Sequence, residues 1–120
     1  MAILLREPEA DTIIGVVERA ERLLIGAPTL LETQIVAAGK SIRLPADLIA
    51  LIDEIRPEVV AFTSAHVEAA TDAFQRFGKG RHPAALNYGD CMAYAVARVA
   101  DCGLLYKGDD FPRTDVRRAS

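Results

Sequence analysis

Hydrophobic residues recur along most of the chain at the spacing of an α-helix, and short apolar runs separate the helical segments. In residues 11–21, Ile13, Ile14, Val17 and Ala20 share one face while charged side chains occupy the other, which predicts an amphipathic helix. The same periodicity predicts four more helices, at residues 29–40, between Pro45 and Pro57, at residues 65–77 and at residues 87–100.

The apolar runs between these helices predict short β-strands at residues 22–26, 58–62 and 104–106, with a last strand at residues 114–116. Because helices separate the strands, the order favours an α/β fold with a small parallel sheet flanked by helices. Such a sheet is thin for so many helices, so we expect one further strand to be missing from the chain. A length of 120 residues predicts a single domain, residues 1–120.

Composition narrows the function classes only partly. The chain is 51% hydrophobic and 26% charged, as is usual for a soluble globular protein. The net charge of −3 argues against a broadly basic nucleic-acid binder, but an acidic metal site of a nuclease is compatible with it. No apolar run approaches the ~20 residues of a membrane span, and the N-terminus lacks the pattern of a secretory signal. We therefore expect a cytoplasmic protein without a membrane partner.

Acidic side chains follow the predicted strands or begin the predicted helices. Glu32 lies in the first turn of the helix after strand 22–26, Asp90 lies in the first turn of the last helix, and Asp109 and Asp110 follow strand 104–106. A parallel sheet gathers such positions along one edge, where α/β folds bind ligands. Carboxylates that face one another repel unless a cation lies between them, and Mg²⁺ or Mn²⁺ suits oxygen ligands.

Each of these acids also has a purely structural explanation. Glu32 fits a capping box with Thr29, Asp90 fits a helix cap with Asn87, and the pair Asp109–Asp110 fits a solvated turn. Their coincidence at one sheet edge favours a metal site instead. The chemistry that such a site suits is hydrolysis of a phosphodiester, with one or two metal ions and no side-chain nucleophile.

The loop at residues 78–89 is basic and rich in glycine. Lys79 and Arg81, with His82 beside them, are candidates to bind the phosphate backbone of a nucleic acid. The alternative for these residues is an ordinary solvated loop.

The histidines and cysteines predict no further site. His66 is expected to be an exposed helix residue, and neither His66 nor His82 has the spacing of a zinc ligand. Cys91 and Cys102 are separated along one predicted helix by roughly 16 Å, which is too far for a disulfide. We expect two buried free thiols.

Four segments resemble a known family: LLREPEA (4–10), GAPTLLE (26–32), FGKGRHPAALNYGDCMAYAVA (77–97) and LLYKGDDFPRTD (104–115). In this order and spacing they are similar to PIN-domain proteins, specifically to VapC-type toxins of bacterial VapBC toxin–antitoxin pairs. The resemblance implies a three-layer α/β sandwich and a metal-dependent endoribonuclease that a cognate VapB-like antitoxin neutralises. It also implies a homodimer.

The family's site residues are carried over by position. Glu32, Asp90 and Asp110, or Asp109 in place of Asp110, match the acids that hold Mg²⁺ or Mn²⁺ and that catalyse RNA cleavage. Asp115 is a weaker candidate for the same site.

The sequence departs from the family pattern at its N-terminus. The resemblance implies a first strand that ends in an aspartate, and this strand would precede Met1. Either the start of the chain is misassigned, or the sequence is a fragment, or it is a degenerate copy. If the chain begins at Met1, we expect weak metal binding and little or no nuclease activity. The alternative function is therefore an inactive PIN-fold module that only binds an antitoxin or dimerises.

Overall fold

The computed structural model describes residues 10–40, 44–104 and 111–118, which form an α/β arrangement. The helices of the described residues are α1 (Ala10–Arg19), α2 (Ala27–Lys40), α3 (Leu44–Ile55), α4 (Ser64–Phe77) and α5 (Tyr88–Ala100). The strands are β1 (Leu24–Gly26) and β2 (Glu58–Val60). The chain divides into two compact units, Met1–Val59 and Val60–Ser120.

Strands β1 and β2 pair in parallel, as the alternation of helices and strands predicts. The backbone N–H of Glu58 donates to the carbonyl of Leu23 at 2.7 Å, and the exposed side chains of Arg22 and Glu58 form an ion pair at 2.7 Å. Both strands are shorter than the apolar runs that predicted them, because pairing extends over only part of each run.

Helices α2 and α3 pack through a small apolar contact in the first unit. Ala37 and Leu48 are buried there, and the half-buried Ile52 packs against them. Helix α3 ends before Pro57, as predicted. Arg56 adopts a left-handed conformation with φ of 47° and its N–H donates to the carbonyl of Ile52 at 2.8 Å, which closes the helix.

Helix α4 begins at a histidine cap that the sequence did not suggest. The side chain of His66 is only 5% exposed, and its Nδ1 accepts a hydrogen bond from the backbone N–H of Thr63 at 3.1 Å. The prediction of an exposed His66 was wrong because the imidazole turns back to the helix start and lies against Phe62, with ring centroids 5.3 Å apart.

A compact loop at residues 78–86 leads from α4 to α5. Gly78 and Leu86 form a parallel bridge. The N–H of Lys79 donates to the carbonyl of Leu86, and the N–H of Leu86 donates to the carbonyl of Phe77, both at 2.9 Å. The main core of the second unit lies where this loop meets the two helices, and it consists of Ala73, Phe77, Ala84, Leu86, Cys91, Tyr94 and Phe111.

The C-terminal segment differs from its prediction. Residues Phe111–Arg113 form a 3-10 turn, which Thr114 closes by donating its N–H to the carbonyl of Phe111 at 2.9 Å. Residues 114–116, which follow this turn, are not in a strand, so the strand predicted there was wrong. Leu104 instead forms a parallel bridge with Arg118, while the rest of the strand predicted at residues 104–106 lies outside the described residues.

The two cysteines are free thiols, as predicted. Cys91 is buried in α5, as predicted. The prediction of a buried Cys102 was wrong: this residue is only half-buried, because it lies beyond the end of that helix, where Asp101 takes a left-handed conformation. None of the helices that the structure describes has both the length and the apolar character needed to cross a membrane.

Candidate active site

Asp90 lies in the first turn of α5 and is held by the helix cap. Its backbone N–H donates to Oδ1 of Asn87 at 2.8 Å, and its own Oδ2 accepts the backbone N–H of Asn87 at 3.1 Å. This reciprocal pair is the capping box predicted from the sequence. Since the positive end of the helix dipole lies at the N-terminus, an ionised carboxylate is favoured at this position.

The carboxylate of Asp90 is partly exposed, although its neighbours in the helix are buried. The carboxylate is half-buried, and the residues on both sides of it, Gly89 and Cys91, are buried. Burial raises the pKa of the Cys91 thiol, and the charge of Asp90 raises that pKa further. The thiol next to Asp90 is therefore kept neutral, while the carboxylate is presented at the end of a rigid helix.

Glu32 occupies a different position in its helix from the predicted one. Helix α2 begins at Ala27 directly after β1, so Glu32 is in the second turn and Thr29 is inside the helix. The predicted capping box between Thr29 and Glu32 was therefore wrong. Pro28 explains the earlier start, because proline fits the first turn of a helix, where its missing N–H has no partner.

The side chain of Glu32 is exposed and forms no hydrogen bond or ion pair with the residues that the structure describes. Thr29 does not cap the helix either: its buried Oγ1 lacks a hydrogen-bond partner among those residues. The predicted capping box therefore does not account for an acid at position 32.

Asp115 is engaged in a network that holds the C-terminal segment in the second unit. Its Oδ1 accepts a hydrogen bond from the hydroxyl of Tyr94 at 2.6 Å. Its Oδ2 forms ion pairs with Arg76 at 2.8 Å and with Arg98 at 3.4 Å. Burial alone would raise the pKa of Asp115, but the hydrogen bonds from Tyr94 and Arg76 outweigh it and leave the pKa below its ordinary value.

The same network also shifts the pKa values of Tyr94 and Arg76. Burial raises the pKa of the Tyr94 hydroxyl, and the hydrogen bond to Asp115 raises it further. The pKa of Arg76 is raised by its hydrogen bonds to Asp115 and Asp72. Both oxygens of Asp115 are therefore engaged by these neighbours, and its role as the weaker metal candidate stays a prediction.

In the basic loop, His82 and Arg81 pack against aromatic rings, whereas Lys79 is exposed to solvent. His82 packs edge-on against Phe77, with ring centroids 5.2 Å apart, and its Nδ1 accepts the N–H of Ala84 at 3.0 Å. Arg81 lies over the ring of Phe74 at 5.3 Å. Lys79 is exposed and belongs to no ion pair in the described part of the chain.

The predicted acids therefore fall into three groups. Asp90 belongs to the second unit, Glu32 belongs to the first unit, and Asp109 and Asp110 lie outside the described residues. Within residues 10–40, 44–104 and 111–118, no group of three or more His, Cys, Asp or Glu side chains is placed to hold a metal ion. The donor chemistry of Asp90 nevertheless fits a hard divalent cation, which prefers carboxylate oxygen.

Two features of the second unit were missed at the level of sequence. The ion pair of Arg76 with Asp115 joins positions 39 apart in the sequence. Only the second ion pair of Arg76, with Asp72 at the spacing i, i+4, could be predicted from the sequence. The second feature is Tyr88, whose side chain is 81% exposed although it opens the most buried helix of the unit.

Comparison with known proteins gives a consistent result across the chain. A family model described as PIN domain matches residues 1–117. Ribonuclease VapC36 of Mycobacterium tuberculosis is 40% identical over 110 residues, which cover 91% of this chain and 79% of the relative. Ribonuclease VapC of Mycolicibacterium smegmatis is 39% identical over 119 residues, covering 97% of this chain and 91% of the relative. Ribonuclease VapC30 of Mycobacterium tuberculosis is 35% identical over 119 residues, which cover 97% of this chain and 89% of the relative.

Proposed function

Because the chain belongs to the PIN-domain family, in its VapC group, we propose that it is a metal-dependent endoribonuclease that hydrolyses RNA phosphodiester bonds. The observation that carries this proposal is the carboxylate of Asp90, which the Asn87 cap fixes at the N-terminus of α5. The position combines a fixed anion, a helix N-terminus and an exposed lysine on the adjoining loop.

We propose Asp90, Glu32 and Asp110, with Asp109 as the alternative to Asp110, as the residues that hold Mg²⁺ or Mn²⁺. Asp90 supports this assignment through its fixed geometry, and Glu32 supports it because no cap or ion pair within the described residues accounts for its charge. When bound, the metal supplies Lewis-acid activation of water and neutralises charge on the phosphate. The Asn87 cap fixes the carboxylate of Asp90, while Lys79 and Arg81 bind the RNA backbone.

The metal requirement is tested by RNA cleavage with EDTA-treated protein, followed by addition of Mg²⁺ or Mn²⁺. We expect no cleavage in EDTA and recovery with one of the two ions. Glu32→Gln and Asp110→Asn are expected to lower the rate by about 100-fold or more, since each removes part of an electrostatic contribution of several kcal/mol. Cleavage that persists in EDTA would contradict the proposal.

We propose two partners, an RNA substrate and a VapB-like antitoxin, which the names of the relatives support. We also propose a cytoplasmic location. A second candidate function, a non-catalytic module that binds an antitoxin or a second copy, is favoured by one observation. Helix α2 exposes Leu31 at 57% and Ile35 at 63%, and α3 exposes Ile49 at 55%. Leu31 and Ile35 are four residues apart on α2, and exposed apolar side chains that share one face of a helix are typical of a protein interface.

A further inference from the structure

Thr29, in the first turn of α2, holds its hydroxyl inside the protein without a hydrogen-bond partner. Among the residues that the structure describes, its Oγ1 is the single buried side-chain oxygen or nitrogen in this condition. A hydroxyl that leaves water without gaining a hydrogen bond opposes folding, and such atoms are uncommon in folded proteins. The hydroxyl of Thr29 therefore calls for a compensating role.

The usual partner of a threonine within a helix is not available at this position. Such a hydroxyl commonly donates to the backbone carbonyl one turn earlier, and Thr33 does so, since its Oγ1 donates to the carbonyl of Thr29 at 2.8 Å. The residues one turn before Thr29 are Ile25 and Gly26, which belong to strand β1 rather than to a helix. The two threonines of α2 thus differ, because only the hydroxyl of Thr33 is used by the helix itself.

Glu32 lies one turn further along the same face of α2. Residues three and four apart are neighbours on a helix surface, and long side chains lean back over the turn toward the helix N-terminus. The neighbours of Glu32 on this face of α2 are Pro28, Thr29, Ile35 and Val36. Thr29 has the only side-chain hydrogen-bond donor of these four residues, so it is the neighbour that can donate to the Glu32 carboxylate.

The acid and the hydroxyl are both without partners among the described residues. The carboxylate of Glu32 is exposed and forms no hydrogen bond or ion pair there. In solvent it keeps its hydrating water and gains little from a hydroxyl. A carboxylate that holds a metal ion is fixed in place instead, and such ligands are themselves held by hydrogen bonds from neighbouring groups. The two groups therefore fit one arrangement that forms when metal binds.

We propose that Thr29 is a positioning residue for Glu32, whose carboxylate accepts a hydrogen bond from the Thr29 hydroxyl when it binds the metal ion. This inference rests on the proposed function, in which Glu32 is a metal ligand, and adds a residue that does not itself touch the metal. The hydrogen bond orients the carboxylate and favours its ionised form. The unfavourable burial of the hydroxyl in the metal-free protein is thus offset in the metal-bound protein.

The first test is the melting temperature of Thr29→Val in EDTA. Valine has nearly the shape of threonine but no hydroxyl, so we expect the melting temperature to rise by a few degrees. Thr33→Val is the matched control, because it removes a hydroxyl that has a partner, and it is expected to cause no rise. A lower melting temperature for Thr29→Val would show that the hydroxyl is already partnered without metal, and it would overturn the proposal.

The second test is the dissociation constant for Mn²⁺, measured without RNA from the electron paramagnetic resonance signal of the free ion. Thr29→Val is expected to bind Mn²⁺ about tenfold more weakly than the wild type, as is common when a metal ligand loses its hydrogen-bond partner. Thr29→Ser keeps the hydroxyl and is expected to bind close to the wild-type value, as is Thr33→Val. Equal Mn²⁺ affinities for the wild type and Thr29→Val would overturn the role of Thr29 and leave the proposed function intact.

RNA cleavage at saturating Mn²⁺ separates positioning from metal ligation. Thr29→Val is expected to recover a rate close to that of the wild type, since its defect is in metal affinity, whereas Glu32→Gln is expected to stay slow. A rate for Thr29→Val as low as that of Glu32→Gln would contradict a positioning role. A wild type that binds no Mn²⁺ and cleaves no RNA would overturn the proposed function and the role of Thr29 together.

Discussion

Two carboxylates of the second unit show how the surroundings of a residue decide its role. Asp90 lies at a helix N-terminus, and one of its carboxylate oxygens accepts a hydrogen bond from the backbone N–H of Asn87. Asp115 is bound by a tyrosine and two arginines. The sequence predicts the first arrangement, because Asn87 and Asp90 are three positions apart. It cannot predict the second, because Arg76 and Asp115 are distant in sequence and meet only after α4, α5 and the C-terminal segment pack.

The Asp115 network predicts an acid dependence of stability. The pKa of Asp115 in the folded state lies below its ordinary value of 3.8, so its contribution is complete above that value and is lost as pH falls through the lower, folded pKa. Asp115→Asn is expected to lower the free energy of unfolding at pH 7 by about 1 kcal/mol, after allowance for solvent screening of a partly exposed pair.

Chemical denaturation between pH 7 and pH 2.5 measures this effect. The difference in unfolding free energy between the wild type and Asp115→Asn is expected to shrink toward the acid end of the range. A difference that stays constant with pH would show that the charge of Asp115 does not contribute to stability.

At the scale of elements, the helices were predictable because each carries its own apolar face, whereas their exact ends depended on local chemistry. The pair Thr29 and Glu32 imitates a capping box, but Pro28 allows α2 to begin two residues earlier, at Ala27. The buried His66 at the start of α4 was missed because histidine is an uncommon partner for a threonine cap. The strands were harder to predict, since their extent depends on pairing with distant segments.

The junction between α4 and α5 predicts a strict requirement for glycine at position 78. A Cβ at Gly78 would collide with the backbone carbonyl of Phe74 and lie 2.5 Å from Cδ1 of its ring. We expect Gly78→Ala to lower the free energy of unfolding by about 1–3 kcal/mol, because the neighbouring backbone cannot move aside cheaply.

Gly39→Ala is the matched control for this substitution. A Cβ at Gly39 would meet nothing within 4 Å, and the position lies within α2, so alanine is expected to stabilise the protein by about 0.5–1 kcal/mol. Thermal and urea denaturation of both variants measure the two effects. Equal changes of the same sign would contradict the structural account of Gly78.

At the scale of the whole molecule, the described helices expose several large apolar side chains. Leu31 and Ile35 project from α2, and Ile49 projects from α3. Residue patterns alone predict neither a homodimer nor an antitoxin complex, because an amphipathic helix has the same sequence pattern whether its apolar face covers the core or a partner.

Ile35→Lys tests this surface. If it forms the interface between two copies, we expect the substitution to shift the protein from dimer to monomer in sedimentation or light-scattering measurements, since a charge would be buried without a partner. Val67→Lys, on an exposed position of α4, is the control and is expected to leave the association state unchanged. A protein that is monomeric before any substitution would contradict the proposed homodimer.

The most direct test of the proposed function compares Mn²⁺-dependent RNA cleavage by the wild type and by Asp90→Asn. Asparagine retains an oxygen that can accept the N–H of Asn87, so the melting temperature should change little, while the anionic metal ligand is lost. The account predicts a cleavage rate at least about 100-fold lower for Asp90→Asn. Equal cleavage rates for the two folded proteins would contradict it.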